Sequence, residues 1–136
     1  MIVVDTTVLA DFLIGEKNLK EAACLLARED SDWITTGLWR YELGNVFWKK
    51  IQFEKDERKR LMVSLNEAEH LLVETIDRVD HPAILDVACN SGLTYYDASY
   101  VWLARSRQLI LRTRDKRILQ KCADVALPMP SFCERS

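Results

Sequence analysis

The chain opens on a three-residue run, Ile2-Val3-Val4, that is wholly apolar and β-branched and stops at Asp5. A strand with no polar face has to be covered on both sides. The arrangement that does so is a parallel sheet with helices on either face. The rest of the sequence fits that demand. Val8, Leu9, Phe12 and Leu13 form a helical stripe up to Gly15, with Thr6 and Thr7 available as caps, and a second helical pattern runs from about Leu19 to Ala27. Trp33-Ile34-Thr35 reads as a strand. Gly37 opens a long helix through about Ile51, charges crowd 54–60, and a further helix carries Leu61, Leu65 and Ala68. Leu71 to Ile76 alternates weakly and reads as a strand. Pro82 starts a helix that ends near Gly92, and Thr94 caps a helix from Tyr95 to about Arg105. Leu109-Ile110-Leu111 is another apolar strand, a helix follows Asp115, and Val125-Ala126-Leu127 reads as an edge strand.

Short apolar strands thus alternate with helices, which predicts an α/β fold. The expected architecture is a mainly parallel central sheet of about four to five strands flanked by helices, with a helical hairpin at about 37–70. The length of 136 residues and the lack of a linker or repeat point to one domain, 1–136. Only 4 Gly and 3 Pro against 49% apolar residues argue against disorder. The formal charge of −2 excludes a strongly basic nucleic-acid coat protein. The cysteines, Cys24, Cys89, Cys122 and Cys133, include no C-x-x-C pair, so a zinc site is not expected. Without a signal-peptide pattern or a membrane-length apolar run, the expectation is a cytoplasmic protein with reduced thiols and no membrane partner.

Four carboxylates stand where a merely stable domain would prefer something else. Asp5 and Asp115 each follow an apolar strand, at the sheet edge where ligands of parallel sheets gather. Glu42 has Leu38, Trp39, Asn45 and Val46 as its helical neighbours, surroundings that make an unpartnered carboxylate costly. Asp97 follows Thr94 by three residues, at the start of a helix carrying Ala98, Val101, Trp102 and Ala104. Capping is the simpler account of Asp5, Asp97 and Asp115 taken singly. Four like charges brought together repel unless a cation sits among them. An all-oxygen set suits Mg2+ (or Mn2+). Such ions support phosphodiester hydrolysis by activating water and stabilising the leaving oxygen. Thr6 beside Asp5, Asn45 one turn after Glu42, and Thr113 two before Asp115 are candidate supporting groups, Thr113 with a direct part in catalysis.

Four segments together resemble the PIN-domain family, most closely the VapC-type ribonuclease toxins of toxin–antitoxin pairs. They are Met1-Ile-Val-Val-Asp-Thr-Thr-Val-Leu, Trp39-Arg-Tyr-Glu-Leu-Gly-Asn, Leu93-Thr-Tyr-Tyr-Asp-Ala-Ser-Tyr-Val-Trp-Leu-Ala and Leu111-Arg-Thr-Arg-Asp. The resemblance spans essentially the whole chain and carries the family's metal-binding acids onto Asp5, Glu42, Asp97 and Asp115. It implies metal-dependent endoribonuclease activity, a homodimer, a cognate antitoxin protein that occupies the active-site groove, and a larger toxin–antitoxin assembly. Arg112 departs from the pattern, which usually has a small or apolar residue there. The sequence leaves open whether it points away from the acids or adds positive charge among them.

Seven basic residues and one acid lie between 105 and 121, a local balance of +6. Arg112, Arg114, Lys116 and Arg117 are therefore candidates to hold RNA phosphates. A second basic group, at 49–60, is diluted by acids. Trp39, Trp48 and Trp102 read as core or dimer contacts. The main alternative is a PIN-like module that binds RNA or a partner protein without cutting. A phosphotransferase of the haloacid-dehalogenase type would need a second acid where Thr7 stands.

Overall fold

The structure is a computed structural model of the chain that describes residues 1–131. Cys133 lies outside the described residues. Five strands, β1 (Ile2–Val4), β2 (Trp33–Thr36), β3 (Glu74–Ile76), β4 (Leu111–Arg112) and β5 (Ala126–Leu127), form one sheet in the order β3-β2-β1-β4-β5. Every neighbouring pair is parallel. β1 is central, with Val3 opposite Ile34 on one side and Leu111 on the other.

The period-two alternation of a strand divides the core in two. Ile2, Val4 and Trp33 face one side, where they pack with Val8, Leu9, Leu26, Trp39, Leu43, Phe47 and Leu61. Val3, Ile34 and Leu111 face the other, with Tyr100, Val101, Leu103, Ala104 and Ile118. This is why β1 carries no polar residue. The first layer is built by α1 (Thr6–Ile14), α2 (Lys17–Glu29), α3 (Trp39–Phe53) and α4 (Arg58–Leu71). The second is built by α6 (Tyr95–Arg107) and α7 (Lys116–Lys121), with α5 (His81–Ser91) packed on α6. The helices α3 and α4, joined by a 3-10 turn at Lys55–Glu57, are the hairpin expected at 37–70.

Several boundaries differ from the sequence reading. The residues from Leu71 to Ile76 are not one strand: Leu71 ends α4, and only Glu74–Ile76 pairs with β2. Leu71 and Leu72 pack against the first core layer, which accounts for their apolar character without a strand. The fourth strand starts at Leu111 rather than Leu109. Gln108, at φ 56°, closes α6, and the Leu109 amide donates back to Ala104. The cap of α1 is Asp5 rather than Thr6 or Thr7. The helix expected to open at Gly37 starts instead at Trp39, while at α5 the expected signals hold. Asp80 caps α5 with Pro82 in its first turn, and Gly92 ends it at φ 78°, a conformation that costs glycine little. Trp39 is buried as expected, whereas Trp48 is exposed.

Candidate active site

Strand geometry delivers the first and last acids to the carboxyl edge of the sheet, and helix starts deliver the other two. Asp5 follows β1 and is 4% exposed. Its Oδ1 accepts from the Thr7 amide at 3.1 Å, the Thr7 hydroxyl at 2.5 Å and the Val8 amide at 3.3 Å. Its Oδ2 accepts from the hydroxyl of Thr113, which lies just beyond β4 on the adjacent strand. These bonds favour the ionised form, yet burial outweighs them and, with a smaller push from Asp97, raises the Asp5 pKa to about 6.

Thr113 is fully buried and bridges two acids, because its hydroxyl also accepts from the Asp115 amide at 2.9 Å. Asp115 caps α7, with Oδ1 accepting from the Arg117 and Ile118 amides at 2.8 and 3.1 Å. The capping readings of Asp5 and Asp115 are thus correct, and they are compatible with a site. Capping is what fixes each carboxylate at the strand end.

Glu42 lies in the first turn of α3. Its Oε1 accepts from the Thr6 hydroxyl at 2.9 Å and from the Tyr100 hydroxyl, and these two hydroxyls are 2.8 Å apart. The buried Tyr100 thereby holds Glu42 against α1. Burial and the nearby Glu42 push the Tyr100 phenol above its ordinary pKa, so it stays a donor. Asn45, expected to assist Glu42, is exposed, and its side chain makes no hydrogen bond among the described residues. Asp97 sits in the first turn of α6, its amide capped by Thr94 at 3.2 Å. Its pKa is raised by burial first and then by Asp115 and Glu42, against a weaker lowering from Thr94 and Arg117. Asp5, Glu42 and Asp115, each from a different element, therefore all lie within electrostatic reach of Asp97.

The basic residues are placed differently from the sequence reading. Arg114 is not a free hand for phosphate: its guanidinium binds Asp11 of α1 through two bonds of 2.5 and 2.9 Å. Asp11 is almost wholly buried and was not singled out from the sequence. Arg112 points away from the acids and donates to the Pro128 carbonyl at 2.5 Å. Arg105 pairs with Asp124 and Arg107 with Glu74. Lys116 is exposed, and Arg117 donates to the Gly92 carbonyl at 2.8 Å while lying close enough to Asp97 to affect it. The local +6 is therefore largely answered by acids and carbonyls that arrive from distant parts of the chain.

The donor set suits a hard divalent cation. It is all oxygen, and like-charge repulsion among Asp5, Asp97, Asp115 and Glu42 is relieved only partly by Arg117. As the side chains lie, no three His, Cys, Asp or Glu residues among the described residues already form a ligand cluster. An ion held here would take one or two of these carboxylates directly and keep several waters, as magnesium does at many sites.

Comparison with known proteins agrees with this architecture. Residues 2–124 match the PIN domain family. Over 85 residues the chain is 35% identical to a protein named Exonuclease VapC9 from Pyrobaculum aerophilum. That match spans 60% of this chain and 60% of the relative's length. The crystal structure of PAE2754 from Pyrobaculum aerophilum superposes with a TM-score of 0.75 at 26% identity, covering 93% of this chain and 89% of that one. FitAcB from Neisseria gonorrhoeae shares the fold with a TM-score of 0.62 at 21% identity, over 96% and 97% of the two chains. With its parallel five-stranded sheet and acids gathered at the carboxyl edge, the chain belongs to the PIN domain family.

Proposed function

We propose that this protein is a divalent-metal-dependent endoribonuclease acting as the toxin of a toxin–antitoxin pair. The observation that carries this reading is the gathering of Asp5, Glu42 and Asp115 around Asp97, which each of them repels, at one edge of the sheet. The name of the relative, Exonuclease VapC9, supports nuclease chemistry. Asp5, Glu42, Asp97 and Asp115 would hold Mg2+ or Mn2+, with Thr113 and Thr7 fixing Asp5, and Thr6 and Tyr100 fixing Glu42. A bound cation of this kind supplies charge to the phosphate oxygens and lowers the pKa of water. The chain's own part is to hold its carboxylates rigidly enough that little reorganisation is left for the reaction. Lys116 and Arg117 are the basic residues best placed to meet a phosphate backbone at this edge.

An apolar surface supports a protein partner, which we take to be the antitoxin. Trp48 at 57% and Phe53 at 90% exposure lie on α3, and Met62 and Val63 are exposed on α4. A groove of about 460 Å³ runs between these helices beside Trp48 and Met62. Exposed apolar clusters of this kind mark interaction sites on soluble domains. We take the protein to form a homodimer that joins a larger assembly with the antitoxin. No helix among the described residues is long and apolar enough to cross a membrane, in keeping with a cytoplasmic protein.

Cleavage of a circular RNA tests the reading, since a circle has no end for an exonuclease to engage. Linearisation of the circle with Mg2+ or Mn2+, and its loss on chelation, is the expected result. Activity that persists in chelator, or that requires a free RNA end, contradicts the proposal. A second expectation concerns Tyr100→Phe, which removes one of the two hydroxyls on Glu42 together with its contact to Thr6. Cleavage falls by about 10–100-fold, the usual effect of removing a group that orients a metal ligand, with little change in melting temperature.

A further inference from the structure

A second feature lies beside the acids, on the β2–β3 side of the sheet edge. It is a cavity of about 320 Å³, within the roughly 300–1,000 Å³ range of small-ligand pockets. Its floor is polar: Thr36 at the end of β2 and Ser99 of α6 are both buried, with their hydroxyls 3.5 Å apart. Its walls include the apolar Ile76 and Ile84. Its rim is aromatic. Tyr95 stacks on His81 with ring centroids 6.0 Å apart and planes 23° apart, and Tyr41 and Tyr96 also line it. Tyr41 is 80% exposed and Tyr96 58%, so neither is explained by core packing.

We propose that this cavity takes one unpaired base of the RNA substrate. A base has apolar faces and a hydrogen-bonding edge. The cavity offers aromatic and aliphatic walls for the faces and hydroxyls at the floor for the edge. Its charged rim groups, Arg40 and Asp77, are paired with each other at 3.2 Å, so the cavity does not present a bare cation to a free anion. Position supplies the second argument. Tyr41 immediately precedes Glu42 in the first turn of α3, and Tyr96 immediately precedes Asp97 in the first turn of α6. The cavity and the acid cluster thus share two helix starts, and a base in the one leaves its phosphate beside the other. A base held in a duplex is stacked and paired and cannot enter. This inference rests on the ribonuclease reading and adds where the substrate is gripped.

The test measures binding of a single-stranded octaribonucleotide to the full-length Asp5→Asn protein, used so that the RNA stays intact. In that background Tyr96→Leu weakens binding about tenfold, as expected for one lost base stack, whereas Tyr96→Phe stays within about twofold. Replacing one base of the octamer at a time by an abasic residue finds one position that costs the parent about tenfold and costs the Tyr96→Leu protein nothing further. Tyr41→Leu, at a residue that also lines the cavity, provides a second variant, and melting curves establish that each is folded. Binding indifferent to Tyr96 and Tyr41 overturns the proposal, as does a Tyr96→Leu change that dissociates a dimer in sedimentation, which makes the cavity a subunit contact. Cleavage of RNA without dependence on either tyrosine leaves the ribonuclease reading standing and removes the subsite. Tyrosine-dependent binding by a protein that cuts no RNA does the reverse.

Discussion

Asp5→Asn raises the melting temperature of the metal-free protein and reduces RNA cleavage by more than about a hundredfold, beyond the usual effect of removing a metal ligand's outer partner. Both effects come from one carboxylate. Asp5 is protonated more readily in the folded chain, near pH 6, than in the unfolded chain, near 3.8. A carboxyl group raised in this way contributes stability that is fully present below pH 3.8 and is lost as the pH climbs through about 6. The interval is worth about 3 kcal/mol, the cost of ionising the group where it is buried. Asparagine avoids that cost and keeps an oxygen for the Thr7 and Val8 amides. For a domain of this size about 3 °C of melting temperature accompanies each kcal/mol, so the gain near neutral pH is several degrees. It shrinks towards acid pH, where the parent's Asp5 is already neutral. Added Mg2+ reverses the order, because a cation favours the ionised carboxylate and stabilises only the parent. Calorimetry of both proteins across pH, with and without the ion, checks the pattern. A lower melting temperature for the variant near neutral pH, or an undiminished response to Mg2+, contradicts it.

The second large effect is an asymmetry. Arg114→Ala costs about 3 kcal/mol of stability, whereas Asp11→Asn costs about 1 kcal/mol, although the two residues form one ion pair. The difference follows from burial. Asp11 is 3% exposed, while the Arg114 side chain is 41% exposed. Without Asp11 the guanidinium turns to water, and only a partly screened pair is lost. Without Arg114 a carboxylate is left charged in an apolar helix face with no partner. The double variant is then less destabilised than the sum of the single ones. Urea titration of the four proteins measures this. Equal costs for the two single variants contradict the argument.

How far the sequence could be read depended on distance along the chain. Asp5 and Asp115 were legible because each follows its own apolar strand, and the parallel fold sends both strand ends to one edge. Glu42 was legible because a carboxylate among Leu38, Trp39 and Val46 advertises its cost locally. Thr113 follows from the alternation within its strand. The features that stayed hidden are pairings between remote residues. Asp11 meets Arg114 across 103 positions, and Tyr100 meets Glu42 across 58. Tyr100 has the period of a core residue, and only its hydroxyl reveals a second duty. The basic stretch at 105–121 misled for the same reason. Its charges are adjacent in sequence, but Asp124, Glu74 and Asp11, which answer three of them, lie elsewhere. The boundary errors at β3 and β4 arose where two or three residues separate a helix end from a short strand, so both patterns fit the same apolar residues.

The central place of β1 has a consequence for the order in which the molecule is made. β1 precedes the other four strands in sequence and needs neighbours on both sides, and one of them, β4, begins only at residue 111. The bond from Thr113 to Asp5 joins groups 108 residues apart. At ordinary translation speeds of about 5–20 residues per second, Asp5 waits roughly 5–20 s for that partner. During that time β1 lacks its neighbour β4, and Asp115 does not yet exist. A nascent chain therefore carries no assembled acid cluster. The nuclease chemistry proposed for the finished protein is withheld from the ribosome that is making it.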